Sequence, residues 1–194
     1  MVSFVGTDNR KGGELAADLM DSTWVAVARF SYSGIRRVQR VPKSGSKVLP
    51  ERLRRFPFFE LIISDRCAGA TRNTAWRASE ALLARHANLE GVFTSNEPAI
   101  AGMLMALVSI RRAEKICFVG FDSSDIYIDR VRSRFIHGLV VQNPVRIGEL
   151  GVKTLVKHIR GVSVSRRIDT RATMVTPDNM DEPDIRQLLN PQKA

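Results

Sequence analysis

Residues 91–121 read GVFTSNEPAIAGMLMALVSIRRAEKICFVGF, and this stretch decides the fold. Two short apolar runs, 91–94 and 116–121, flank a nearly all-apolar segment at 99–110, which is long enough for about three helical turns. A short apolar strand on each side of an apolar helix predicts a strand–helix–strand unit. Its two strands are expected to be parallel, with the helix covering them.

The same alternation extends to both sides of this unit. Further strands are predicted at residues 2–5, 24–30, 58–64, 135–142 and 171–175. Further helices are predicted at residues 12–20, 71–86, 126–132, 145–159 and 183–189. The apolar residues of the helix at 145–159 recur at helical spacing and are predicted to form its buried face: Ile147, Leu150, Val152, Leu155, Val156 and Ile159. Apolar strands alternating with helices predict an α/β fold with a doubly wound parallel sheet covered on both faces.

Residues 30–50 depart from this pattern. They contain Pro42 and Pro50 and follow neither a strand nor a helix period, and only the following residues 51–56 look helical. The segment 29–55 holds nine basic residues and one acidic, a net charge of +8, whereas the rest of the chain carries only +2 of the total +10. Because the positive charge is one local block, it favours a solvated or disordered stretch over a nucleic-acid surface, and no nucleic-acid partner is expected.

Composition and motifs exclude several classes of protein. No apolar run approaches the roughly 20 residues of a membrane helix. Residues 1–13 do not resemble an export leader, so the chain as written is expected to be cytoplasmic. Cys117 lies within an apolar run and is predicted to be a buried free thiol. The three histidines are far apart, and the sequence contains no zinc-protease, dinucleotide or phosphate-loop motif. No enzyme activity, metal or cofactor is expected.

Ligands of doubly wound sheets bind beyond the carboxyl ends of the strands, and polar side chains follow the predicted strands there. Asn96 offers both donors and an acceptor to a pair of sugar hydroxyls, or else caps the helix that follows it. Asp122 can accept from two hydroxyls while the ring of Phe121 covers an apolar sugar face; alternatively, Asp122 caps the next helix and Phe121 lies in the core. Gln142 either binds ligand or caps the helix after it. The pattern is typical of a site for a polyhydroxylated small molecule.

In this order, the residues resemble the type 1 periplasmic binding proteins, the ribose-type sugar-binding components of bacterial ABC importers. The matching stretches are VGTDNRKGGELAADLM, SDRCAGATRNTAWRASEALLARHANLEGVFTSNEPAIAGMLMAL, ICFVGFDSSD and GLVVQNPVRIGELGVKTLVKHIRG, followed by RIDTRATMVTPDN. They lie on both sides of residues 30–50, which the resemblance does not cover. The resemblance implies two doubly wound lobes joined by three crossing segments, which close on a monosaccharide and deliver it to an ABC permease in the periplasm.

The resemblance also implies a role for particular residues and segments. Asn96, Phe121, Asp122 and Gln142 match ligand-contact positions, and Arg72 matches a further one. Residues 1–142 match the second lobe, with 30–50 anomalous; 143–167 match a hinge and a helix of the first lobe; and 168–194 match the last crossing strand and a tail. Most of the first lobe is missing, so the chain is expected to be a truncated form with weak or no binding.

Two expectations follow from these departures, and two alternative functions stay open. Matching flanks around an unmatched middle suggest that residues 30–50 are read in a shifted frame, which the coding DNA would test. The helix at 145–159 would expose its apolar face without a first lobe, which predicts self-association. The alternative functions are the effector-binding core of a LacI-type transcriptional regulator and the binding protein of a sugar sensor.

Overall fold

A computed structural model of the chain describes residues 1–28, 36–41, 59–63 and 71–190. Within these residues the strands are β1 (Phe4–Gly6), β2 (Arg36–Val41), β3 (Phe59–Ile63), β4 (Gly91–Thr94), β5 (Cys117–Phe121), β6 (Gly138–Gln142), β7 (Arg167–Asp169) and β8 (Ala172–Val175). The helices are α1 (Asn9–Ala28), α2 (Arg72–Arg85), α3 (Glu97–Ser109), α4 (Asp125–Arg132), α5 (Pro144–Ile159) and α6 (Pro183–Leu189).

Six of the strands form one sheet in the order β3-β2-β4-β5-β6-β8. All neighbours are parallel except β8, which pairs antiparallel with β6. The predicted unit at 91–121 forms the centre of this sheet, with Val92 of β4 beside Phe118 of β5. The predicted α/β fold with a doubly wound, mainly parallel sheet is therefore confirmed.

Alternate residues of the central strands bury opposite faces of the sheet. Val92 and Phe118 join a large core cluster formed with α2, α3, α4 and α6. Phe93 and Val119 join a second cluster on the other face, where Ala16 and Ala17 of α1 cover the sheet. Since both faces are apolar, the strands read as continuous apolar runs in the sequence.

Helices α2 and α3 approach each other very closely, and Gly102 makes this possible. A Cβ atom at Gly102 would lie 2.4 Å from both the carbonyl carbon of Ala75 and the amide nitrogen of Trp76. These are backbone atoms, so a side chain at position 102 has no flexible neighbour to displace. The glycine therefore sets the distance between the two helices.

Strands β1 and β7 form a separate two-stranded parallel ribbon, with Phe4 beside Arg167 and Gly6 beside Asp169. The chain passes from this ribbon into the main sheet twice, from β1 into α1 and from β7 into β8. It leaves the main sheet between β6 and α5, and α5 contacts β1. The division into residues 1–142, 143–167 and 168–194 stays a prediction. Within the last of these segments, β8 belongs to the main sheet and α6 packs in its core.

The strand predicted at residues 24–30 is wrong, because residues 24–28 form the end of α1. The helix continues for 20 residues from Asn9, beyond the predicted end at residue 20. A short run of valine and alanine fits either a strand or a helix, and here it continues the helix that precedes it.

Part of the anomalous segment 30–50 is ordered as a strand. Residues 36–41 form β2, which is hydrogen-bonded to β3 on one side and to β4 on the other. The expectation of a solvated or disordered stretch is therefore wrong for these six residues, because the sheet supplies backbone partners on both edges. The helix expected at residues 51–56 and Cys67 lie outside the described residues. Cys117 is a buried free thiol as predicted, and burial raises its pKa to about 12.

The predicted buried face of α5 is largely exposed instead. Ile147 and Leu150 are partly buried, whereas Val152, Leu155 and Ile159 expose 63%, 58% and 73% of their surface, and Thr154 is the buried residue of this helix. The helical spacing gave the apolar face correctly, but the described residues, which include β1 in contact with α5, leave most of it uncovered. The separate expectation that this face would be uncovered is confirmed for Val152, Leu155, Val156 and Ile159. Among the described residues, no helix is both long enough and apolar enough to cross a membrane.

Candidate functional site

The carboxyl ends of three neighbouring strands carry the predicted polar residues. Asn96 follows β4, Asp122 follows β5 directly, and Gln142 ends β6, while β5 lies between the other two strands in the sheet. Parallel strands bring their carboxyl ends to the same edge, where ligands of such sheets bind. We call Asn96, Asp122 and Gln142 the polar edge.

Asp122 and Gln142 are in direct contact. The side-chain amide nitrogen Nε2 of Gln142 donates to Oδ1 of Asp122 across 2.7 Å, and the pair is partly buried. The backbone of Asp122 has a φ of 89°, a left-handed conformation that is rare outside glycine. Its amide donates to the carbonyl of Val140 at 3.0 Å, which holds that conformation in place. Strained backbone of this kind concentrates at functional sites.

Neither member of this pair caps a helix. Ser124 is the N-cap residue of α4, and it makes no side-chain capping bond. Asn143 caps α5, where its Oδ1 accepts from the amide of Arg146 at 2.8 Å. Of the two uses open to Asp122 and Gln142 in the sequence, the capping use is therefore absent, and their role in ligand binding stays a prediction.

Asn96 is the N-cap of α3. Its Oδ1 accepts from the amide of Ala99 at 2.9 Å, so the capping use is realised. An N-cap uses only the carbonyl end of the side-chain amide, and the NH2 end keeps two donors for other partners. Capping and ligand binding are thus compatible at this position.

Phe121 lies in the core. Its ring is only 7% exposed and belongs to the cluster beneath α1. A Cβ atom on Gly12 would lie 2.5 Å from Cε2 of Phe121 and 3.2 Å from Cγ1 of Val140. The absence of a side chain at Gly12 therefore lets α1 pack directly against the ring of Phe121. The contact of Phe121 with a sugar face stays a prediction, and the core use left open by the sequence is the one observed.

Arg72 forms an ion pair with Glu97, the neighbour of Asn96 in the polar edge. Its Nη2 lies 3.7 Å from Oε1 of Glu97, the residue after Asn96. The hydroxyl of Tyr127 donates to the carbonyl of Glu97 at 3.2 Å, which ties α4 to the same corner. Both side chains of the ion pair are largely exposed, so it contributes little to stability. It does bring the Arg72 guanidinium towards the end of the sheet that carries Asn96.

Asp169, at the end of β7, is a polar centre that the sequence did not reveal. Its Oδ1 accepts from the amides of Asp8 at 3.0 Å and Arg171 at 2.9 Å, and its Oδ2 lies 2.8 Å from Nζ of Lys11. The hydrogen bond from Lys11, and after it the one from the Arg171 amide, lower the pKa of Asp169 from 3.8 to about 2. The stability that it contributes is complete above its ordinary pKa and is lost as the pH falls towards 2.

The sequence offers little signal for Asp169, because Asp8 and Lys11, two of its three hydrogen-bond partners, lie about 160 residues away in the chain. Nearby, the hydroxyls of Thr7 and Thr170 lie 3.4 Å apart, and the amide of Thr170 donates to the carbonyl of Gly6 at 3.1 Å. The ends of β1 and β7 are thus joined side by side. Within the described residues, no group of three or more histidine, cysteine, aspartate or glutamate residues could hold a metal ion.

A doubly wound, mainly parallel sheet with an antiparallel edge strand and a separate two-stranded ribbon is the architecture of a lobe of the periplasmic binding proteins. The family model described as periplasmic binding protein domain matches residues 1–163, and the chain belongs to this family. It is a type 1 periplasmic binding protein related to the sugar-binding components of ABC importers, as the sequence resemblance implied.

Curated relatives include the ribose import binding protein of Haemophilus influenzae, 27% identical over 174 residues, and that of Bacillus subtilis, 24% identical over 178 residues. These matches cover 87% and 90% of this chain. They cover only 56% and 55% of the relatives, so the chain spans about half their length.

Solved structures of solute-binding proteins have the same fold as this chain. A carbohydrate transporter solute-binding protein of Agrobacterium radiobacter, in complex with D-arabinose, superposes with a TM-score of 0.87 and 29% identity, covering 98% of this chain and 66% of that one. An ABC transporter solute-binding protein of Agrobacterium vitis with bound D-fucose superposes with a TM-score of 0.80 and 27% identity, covering 96% of this chain and 64% of that one.

Proposed function

We propose that this chain is a solute-binding component of a bacterial ABC-type sugar importer and forms one wall of a site for a ribose-like monosaccharide. The observation that carries this proposal is the hydrogen-bonded pair of Asp122 and Gln142 at adjacent strand ends. The role is binding without catalysis. The site would be filled in the periplasm, and the partner that receives the sugar would be an ABC permease.

The chemistry of the pair suits a sugar. A carboxylate accepts several hydrogen bonds, so Asp122 can accept from a sugar hydroxyl as well as from Gln142. The side-chain oxygen of Gln142 is an acceptor too, and the NH2 group of Asn96 adds donors. Vicinal hydroxyls need such a mixture of donors and acceptors. The D-arabinose and D-fucose in the two solved relatives support the same class of ligand.

Import is favoured over regulation and sensing because the curated relatives are ribose import binding proteins.

The first proposed test is titration of the chain with D-ribose, D-arabinose and D-fucose, monitored by NMR of the backbone amides. With one wall of a site, we expect a dissociation constant of about 1 mM or weaker, because little of the sugar surface is buried. Saturable shifts should concentrate at residues 94–97, 121–123 and 141–143.

L-Leucine, which shares no hydroxyl pattern with these sugars, serves as the control ligand and should cause no saturable shift. Shifts that stay linear in sugar concentration, or that spread over the whole surface, would count against a sugar site. Shifts confined to some other part of the chain would place the site elsewhere.

We also propose that the uncovered apolar face of α5 makes the isolated chain self-associate. Val152, Leu155 and Ile159 lie on successive turns and are mostly exposed, and contiguous apolar surface of this kind is rare on monomers. Replacing Leu155 and Ile159 by lysine should shift the chain towards monomer in sedimentation velocity experiments at micromolar concentrations, with little change in the free energy of unfolding.

The matched control replaces Met105 and Val108, which are exposed to 45% and 46% on α3, by lysine. These variants gain the same charge on a different helix. If both pairs change the distribution of species equally, or if the unchanged chain is already monomeric, α5 is not the associating face.

A further inference from the structure

Asp169 uses both carboxylate oxygens to hold the first turn of α1 against the β7–β8 connection. One oxygen accepts from the backbone amides of Asp8 and Arg171, and the other binds the ammonium group of Lys11. Arg171 has a φ of 65°, and its amide bond to Asp169 stabilises this left-handed turn. The carboxylate therefore joins three places on the chain: the start of α1, the end of β7 and the start of β8.

The turn held by Asp169 is the one that touches the back of the polar edge. Gly12 directly follows Lys11, and it leaves no room for a side chain between α1 and either Phe121 or Val140. Phe121 precedes Asp122, and the carbonyl of Val140 accepts the amide hydrogen bond of Asp122. A shift of this turn would therefore move the two residues that fix the position of Asp122.

We propose that Asp169 is a positioning residue for the polar edge: it fixes the first turn of α1, and through the Gly12 contacts this turn fixes Asp122 in hydrogen-bonding position for Gln142. Asp169 acts through α1 rather than by contact with the sugar. Its effect on affinity rests on the proposed function, whereas its effect on the Asp122–Gln142 pair does not.

The test compares Asp169→Ala with Asp169→Asn in the full chain. Alanine removes all three hydrogen bonds, whereas asparagine keeps an oxygen for the amides of Asp8 and Arg171 and loses the charge and the acceptor that face Lys11. The control is Asp181→Ala. Asp181 is also an ion-paired carboxylate, held by the side chains of Arg132 and Arg186, but it has no contact with α1 among its described hydrogen bonds.

Three readouts separate positioning from mere stability. Amide exchange at residues 8–12 reports the turn, the side-chain NH2 resonances of Gln142 report the pair, and titration with D-arabinose reports the site. We expect Asp169→Ala to increase exchange at 8–12, to move the Gln142 resonances and to weaken D-arabinose binding about tenfold, equivalent to one or two hydrogen bonds. Asp169→Asn should have smaller effects in the same direction, and Asp181→Ala should leave all three unchanged.

Faster exchange at residues 8–12 with unmoved Gln142 resonances would overturn the inference and leave Asp169 a purely structural residue. If Asp169→Ala does not fold, the same criterion applies to Asp169→Asn. If the unchanged chain binds no sugar, the proposed function fails, and the Gln142 resonances alone then decide whether Asp169 positions the pair.

Discussion

Asp122→Asn is expected to weaken monosaccharide binding by about 10- to 100-fold, the cost of losing hydrogen bonds to a charged group. Asparagine is nearly the same size, keeps an oxygen that can accept from Gln142, and tolerates the φ of 89° better than most residues. The variant therefore removes the charge and leaves the backbone and the shape of the edge in place. Affinity is measured by NMR or calorimetric titration with the sugar that the unchanged chain binds best.

Asp125→Asn is the matched control for this variant. Asp125 lies three residues further on, in the first turn of α4, and it is exposed. The two substitutions change the net charge equally, so a general electrostatic effect would weaken binding in both. If Asp122→Asn binds as tightly as the unchanged chain, or if both variants lose the same affinity, the polar edge is not the sugar site.

Gly102→Ala is expected to lower the free energy of unfolding by about 1–3 kcal/mol, the usual cost of overpacking a core. The added methyl group would lie 2.4 Å from backbone atoms of Ala75 and Trp76, which cannot rotate away. Helices α2 and α3 must then separate, and the apolar cluster between them and the sheet loses contacts. Urea unfolding followed by tryptophan fluorescence and by circular dichroism measures the loss.

Gly148→Ala provides the opposite result from the same chemical change. Gly148 lies within α5, and a Cβ atom there would meet nothing within 4 Å. Without a clash, the higher helix propensity of alanine should raise the free energy of unfolding by up to about 1 kcal/mol. Equal effects of the two substitutions would show that the close approach at Gly102 does not limit stability.

The sequence predicts best where one element and its neighbours along the chain determine the outcome. Strand β4 and helix α6 begin and end at the predicted residues, and the bounds of α2, α3 and α4 differ by at most two residues. Residues 24–28 were misassigned because valine and alanine in a short run carry no distinguishing period. Strand β2 was missed because its place depends on backbone partners in β3 and β4, which are distant in sequence.

Burial and side-chain pairing were harder to predict than the elements. The spacing in α5 identifies an apolar face but not what covers it. The sequence places Asp122 and Gln142 at neighbouring strand ends. It does not predict the left-handed backbone of Asp122 or the hydrogen bond between the two side chains. The sequence does not identify Asp169, because Asp8 and Lys11, which bind its carboxylate together with the amide of Arg171, lie at the other end of the chain.

The β1–β7 ribbon has a mechanical consequence. The segments that lead into α1 and into β8 are hydrogen-bonded to each other through β1 and β7 and through Thr7 and Thr170. They must therefore bend together, since twisting one without the other would break their shared bonds. The connection from β6 to α5, in contrast, starts from a strand held on both sides by β5 and β8. A displacement of either segment is therefore passed on to the other, and with it to the start of α1 or of β8.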